Sequence, residues 1–179
     1  VTPFELMMGK LLGCVAVSVL LAAIYIGGGV GMAQYYGYGD AIRATDIAWL
    51  MLFLLMASFM FGSIFITIGA ACSDLKDAQG MMTPAMLIMM FPWMTWFAIL
   101  NAPDSKMAVG LSLFPTNAPF LMLLRIMIPP GPPMWQVALA VALAAVTSVA
   151  AVYAAGKIFR TGLLMQGKAA TFGEMWKWV

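Results

Sequence analysis

Apolar residues run almost unbroken through four stretches, 11–36, 47–71, 81–100 and 135–159, and the only charged side chain in any of them is Lys157, near the end of the last. A helix rises about 1.5 Å per residue, so about 20 apolar residues cross a hydrocarbon layer roughly 30 Å thick. A helix on a water-soluble domain would show an apolar stripe and an opposite polar face. These stretches are apolar on every side. They predict an all-α membrane bundle with four transmembrane helices.

Local signals set the expected ends. Thr2-Pro3-Phe4-Glu5 supplies an N-cap hydroxyl, proline at the first helical position and the reciprocal Glu of a capping box. This predicts a short amphipathic, interfacial helix over 1–10 that feeds through Gly9-Lys10 into the first span. Asp46 is placed to cap the second span, Thr83-Pro84 to open the third, and Pro132-Pro133 precedes the fourth. Residues 73–79 read as a compact polar turn between two spans. Thr171 to Glu174 repeats the capping box, predicting a second interfacial helix within the tail 161–179. Pro92 falls inside the third span and is expected to kink it.

Residues 107–128 are apolar enough for a fifth crossing, but Pro115, Asn117 and Pro119 interrupt the middle and Arg125 would sit at membrane depth. Backbone groups freed by proline are costly in lipid. Two short re-entrant helices, 107–114 and 117–128, dipping into the outer leaflet, satisfy the pattern better. With four spans and a cytoplasmic N-terminus, Lys10, Lys76, Lys157, Arg160, Lys168 and Lys177 lie inside, while Arg43, Lys106 and Arg125 lie outside. That asymmetry follows the positive-inside tendency and puts both termini in the cytoplasm of a multi-pass cell-membrane protein. Tyr35, Tyr36, Tyr38, Trp49, Trp96 and Trp135 then mark the outer boundary, and Trp176 and Trp178 the inner one.

Composition removes several functions. Charged residues make up only 9% of the 179, the net charge is +2, and the basic residues form no patch that would hold nucleic acid. Histidine is absent, and Cys14 and Cys72 stand far apart, so no zinc or C-x-x-C redox site is expected. No phosphate-binding G-x-x-x-x-G-K-[ST] loop occurs, and Gly27-Gly28-Gly29 lies at the end of a span. The midplane lacks the ionisable residues that mark proton relays and ion sites. No catalytic, cofactor-binding or metal-binding residue is therefore expected. Small residues four apart, Ser58 and Gly62 in the second span and Ala140, Ala144 and Ser148 in the fourth, predict close helix packing.

Four segments carry a family resemblance. VTPFELMMGKLLG resembles the cytoplasmic coupling segment of type-2 ABC-transporter permeases, and IGAACSDLKDAQ is similar to the turn after the fourth helix in their sodium-exporter-like branch. LSLFPTNAPFLMLLRIMIPPGPPMWQ resembles the proline-rich outer segment, and KIFRTGLLMQGK the tail after the final helix. The resemblance implies a six-helix permease of which residues 1–179 form the C-terminal transmembrane portion, helices three to six. It implies that Thr2, Pro3, Phe4, Glu5, Gly9 and Lys10 belong to a coupling helix over 1–10, and Asp74, Lys76 and Asp77 to a second cytoplasmic turn, both facing an ATP-binding cassette ATPase. ATP and Mg would reside on that separate subunit, leaving this chain a transporter component and not an enzyme. A second permease half would complete the path, and the cargo would be sodium or a small molecule. The alternative is a non-transporting membrane scaffold or accessory subunit. An intramembrane protease would need a catalytic helix bearing His or several Glu, which this chain lacks.

Overall fold

Thr2 and Glu5 open the first helix as their spacing predicts: Glu5 N–H donates to Thr2 Oγ1 at 3.3 Å, and Thr2 N–H donates to the Glu5 carboxylate at 2.7 Å. The computed structural model describes residues 2–39, 42–72 and 74–164, and among these it is wholly helical. The elements are α1 (Pro3–Tyr35), α2 (Ala44–Ala71), α3 (Leu75–Asn101), α4 (Lys106–Leu113), α5 (Ala118–Met127) and α6 (Met134–Leu164). Four of them, α1, α2, α3 and α6, are long and apolar enough to cross a membrane. The helix predicted beyond residue 170 lies outside the described residues, as do Trp176 and Trp178.

Several boundaries differ from expectation. Residues 3–10 are not a separate element but the first turns of α1, which continues unbroken for 33 residues. At about 1.5 Å per residue α1 is about 50 Å long, well beyond one hydrocarbon layer. Asp46 does not cap α2. The N-cap position is Arg43, and Asp46 lies in the first turn, where its charge complements the unpaired amides.

The third span starts at Leu75, well before Thr83, so the polar turn over 73–79 shrinks to a brief break and Lys76, Asp77 and Gln79 are helical. Asp74 takes the N-cap position and Asp77 the first turn, a start that competes successfully with Thr83-Pro84. Thr83 instead donates its hydroxyl back to the Gln79 carbonyl at 2.9 Å. Both Pro84 and Pro92 end up inside α3, which stays helical across them.

α2 and α6 form the central pair. Small residues make this possible: Ala140 and Ala144 are fully enclosed against Phe53, and Ser148 donates to Met56 O of α2 at 3.1 Å as well as to Ala144 O of its own helix at 2.7 Å. The predicted stripe on α6 is thus a helix contact, as small residues at this spacing allow in lipid. Gly62 serves a different neighbour. A Cβ there would stand 2.9 Å from Leu11 Cδ1, so its lack of a side chain lets α1 approach α2. α1 lies along α2 and α6, α3 rests on α2 and α5, and the α4–α5 hairpin plugs one end through Ala118 and Met122. Trp49, expected at the boundary, is half-buried and lies beside Phe53 with ring centres 6.3 Å apart.

Candidate functional site

The start of α1 is built with two faces. Met7 packs with Ala155 and Phe159 of α6 and with Ile66 and Ala70 of α2, fixing one side to the central pair. Phe4 is half-exposed, and its ring lies where a Cβ on Gly156 would be, 2.7 Å away. Only glycine at that position lets the aromatic ring rest on the α6 backbone. The other face presents Thr2, Glu5, Gly9 and Lys10, all exposed.

The second group arrives at the same end of the bundle. Met81 and Ala85 of α3 pack on Ile68 and Ala71 of α2 and on Ile158 of α6, which sets the beginning of α3 near the beginning of α1. Asp74, Lys76 and Asp77 are exposed there. Among the described residues no hydrogen bond or ion pair joins Glu5 or Lys10 to these three. The two groups share an end without forming a cluster. Between α2 and α3, Cys72 contacts Met81 through sulfur at 3.3 Å. Burial and, secondarily, the charge of Asp77 push its thiol pKa up, so it remains a weak nucleophile.

The polar centre of the molecule is one that sequence reasoning treated only as a boundary charge. Arg125, in the last turn of α5, is 1% exposed. Its Nε donates to the Pro103 carbonyl at 2.8 Å, its Nη1 to Ser112 Oγ of α4 at 2.9 Å, and its Nη2 stands 3.6 Å from a carboxylate oxygen of exposed Asp104. Burial lowers its pKa, and Asp104 opposes the shift; guanidinium starts so high that it stays charged. Two short charge-assisted bonds and one looser ion pair therefore tie α5 to α4 and to the turn after α3. The available signal was an arginine in an otherwise apolar ten-residue helix, since a charge there must find partners. Its partners lie 22 and 13 residues away in sequence, and nothing local names them.

Pro92, the expected kink, is buried on the side of α3 that faces α5. With Trp93 and Trp96 it lines an apolar cleft of about 180 Å³ whose opposite wall includes Pro119, Phe120, Leu124 and Met127. The two indoles stack with centres 5.7 Å apart.

Comparison with known proteins now places this architecture. The family model described as ABC-2 family transporter protein matches residues 1–157. The chain is 26% identical to the uncharacterized protein YhaP of Bacillus subtilis (strain 168), over 95% of this chain and 43% of that protein. It is 25% identical to the uncharacterized protein MJ1024 of Methanocaldococcus jannaschii, over 97% of this chain and 42% of that protein. The chain thus spans about two fifths of the length of these curated relatives. No solved structure matches it. With four helices able to cross a membrane and a family match over most of its length, the chain belongs to the ABC-2 family of transporter proteins.

Proposed function

We propose that this chain is the membrane-spanning part of an ABC-type exporter permease, driven by a separate ATPase that docks on the end of the bundle where α1 and α3 begin. The family match over residues 1–157 carries the transporter reading. The capped start of α1 supports the docking site, because its exposed Glu5 and Lys10 lie on the same uninterrupted helix as the span. Asp74, Lys76 and Asp77 offer a second charged surface at that end. ATP and Mg belong to the partner, and a second permease half supplies the opposing wall of the path. Alternating access needs two surfaces that rock against each other. Sodium or a small molecule is the cargo we favour, on the resemblance of the α2–α3 segment.

The geometry of Glu5 decides how to test coupling. Its carboxylate is the reciprocal half of the capping box, so charge reversal would remove that bond, and set a cation at a helix N-terminus, along with any docking contact. Gln serves equally well in a capping box. In the complete protein reconstituted with its ATPase, Glu5→Gln is expected to leave folding and yield near wild type and to lower cargo-stimulated ATP hydrolysis several-fold. Glu5→Lys should lower it further by setting like charges together. Unchanged stimulation and ATPase retention in both variants, at equal protein levels, would sink the docking assignment.

Orientation is tested separately. With the start of α3 in the cytoplasm, a cysteine at Lys76 should resist an impermeant thiol reagent in intact cells, whereas one at Asp104 should react, in a background without Cys14 and Cys72. The reverse pattern would invert the topology.

A further inference from the structure

α3 is packed at its two ends, and between them, over residues 86–98, only Pro92 and Thr95 are buried. Met81 and Ala85 pack on α2 at one end, and Ile99 packs on Ala108 and Leu121 at the other. Within that stretch Pro92 supplies no amide, so the carbonyl of Ile88 loses its usual partner four residues on; Pro84 does the same to Gly80 inside the packed end. Thr95 Oγ1 donates to the Pro92 carbonyl at 3.1 Å, and is 3.3 Å from that of Phe91. Such back-bonding favours a bend. Beside this stretch α3 and α5 stand apart across the apolar cleft of about 180 Å³. Its walls forgo the close contacts that packed helices make, so a closed state gains contacts that the open one lacks.

The far end of α3 is different. There Arg125 reaches from α5 to the carbonyl of Pro103, just beyond the end of α3 at Asn101, while its second arm holds Ser112 of α4. Apolar packing in lipid lets helices slide, since neither side gains by leaving water. A buried guanidinium with two oriented acceptors does not slide, because any shift leaves charged donors without partners. We propose that Arg125 is a latch: it makes the end of α3, α4 and α5 one body, so that the Pro92 region of α3 swings toward and away from α5 about this fixed end, closing and opening the cleft. This proposal concerns the mechanics of the chain and stands whether or not the ATPase docks as suggested above.

The test uses distance distributions between spin labels in the full chain, with its native cysteines replaced, in lipid nanodiscs. One pair, at Met94 on the exposed face of α3 and Val149 on α6, reads movement of the middle of α3; a control pair, at Tyr25 on α1 and Val149, reads the rest of the bundle. Lysine keeps the charge of Arg125 but carries its donors on one nitrogen, so it cannot reproduce the separate Nε and Nη1 donations. Arg125→Lys should broaden the Met94–Val149 distribution and shift it to longer distances, with the control pair unchanged. Ser112→Ala, which removes one acceptor and keeps the arginine, should give a smaller change in the same direction, and it serves if the lysine variant does not fold. Pro92→Ala should narrow the distribution. A Met94–Val149 distribution that stays at wild type in the Arg125 and Ser112 variants would overturn the latch, and equal broadening of the control pair would reduce Arg125 to a general fold-holder. An unchanged width in Pro92→Ala would remove the swinging element.

Discussion

Ala144→Leu is expected to destabilise the bundle by about 3 kcal/mol, at the upper end of the cost of overpacking an enclosed site. Ala144 is fully buried in the seam between α2 and α6, with Phe53 across from it and Ser148 one turn on. Three added carbons have nowhere to go unless the helices separate. Separation would in turn pull Ser148 from the Met56 carbonyl, a contact between helices that in membranes is worth about 0.6 kcal/mol. Val146→Leu provides the comparison: Val146 is 68% exposed on the same helix, and its enlargement should change stability by no more than about 0.5 kcal/mol. Thermal unfolding of the two purified variants in one detergent gives the readout. Equal midpoints would mean that the α2–α6 seam is not the centre of the fold.

Arg125→Met should cost about 2 kcal/mol, although methionine roughly fills the volume and suits an apolar setting. The loss comes from the two acceptors left behind. Ser112 Oγ is enclosed and keeps only its own donation to the Val109 carbonyl at 3.0 Å, so losing the bond from Arg125 sits toward the low end of about 1–3 kcal/mol. The Pro103 carbonyl is only half-buried, so water can replace part of its bond, which keeps the sum near the lower end. Asp104→Asn should change little, within about 0.5 kcal/mol, because the carboxylate is 69% exposed and its ion pair is long. Unfolding midpoints again decide. If Asp104→Asn costs as much as Arg125→Met, the ion pair and not the two short bonds holds the hairpin.

The four spans were readable because an uncharged apolar run longer than a bilayer has few other solutions. Their ends were less readable. At α3 the Thr83-Pro84 pair carries the usual marks of a helix start, yet Asp74 and Asp77 begin the helix earlier and Pro84 is absorbed within it. Proline is a local signal for a boundary, and membrane helices tolerate it inside when side chains re-satisfy the freed carbonyls. The short helices over 107–128 were legible from Pro115, Asn117 and Pro119, and α4 and α5 fall within about one residue of the expected limits. The stripe of Ala140, Ala144 and Ser148 announced a contact without naming its partner. Arg125 was placed by its charge alone, since its acceptors come from a turn and a helix that only the folded hairpin brings near.

The unbroken length of α1 has a mechanical consequence. Its buried residues, Met7, Leu11 and Val15, all lie in its first half, and no proline interrupts the helix after Pro3. A rod gripped near one end is a lever, and here the far arm is softened by Gly27, Gly28, Gly29 and Gly31. With the fulcrum at Leu11, pressed into the gap left by Gly62, the short arm back to Pro3 is about 12 Å and the long arm to Tyr35 about 36 Å. A displacement of about 1 Å at the capped tip would sweep the opposite end through about 3 Å, in the reverse direction. Pivoting there would turn force at one end of α1 into travel at the other, less whatever bending the glycine-rich stretch 27–31 absorbs.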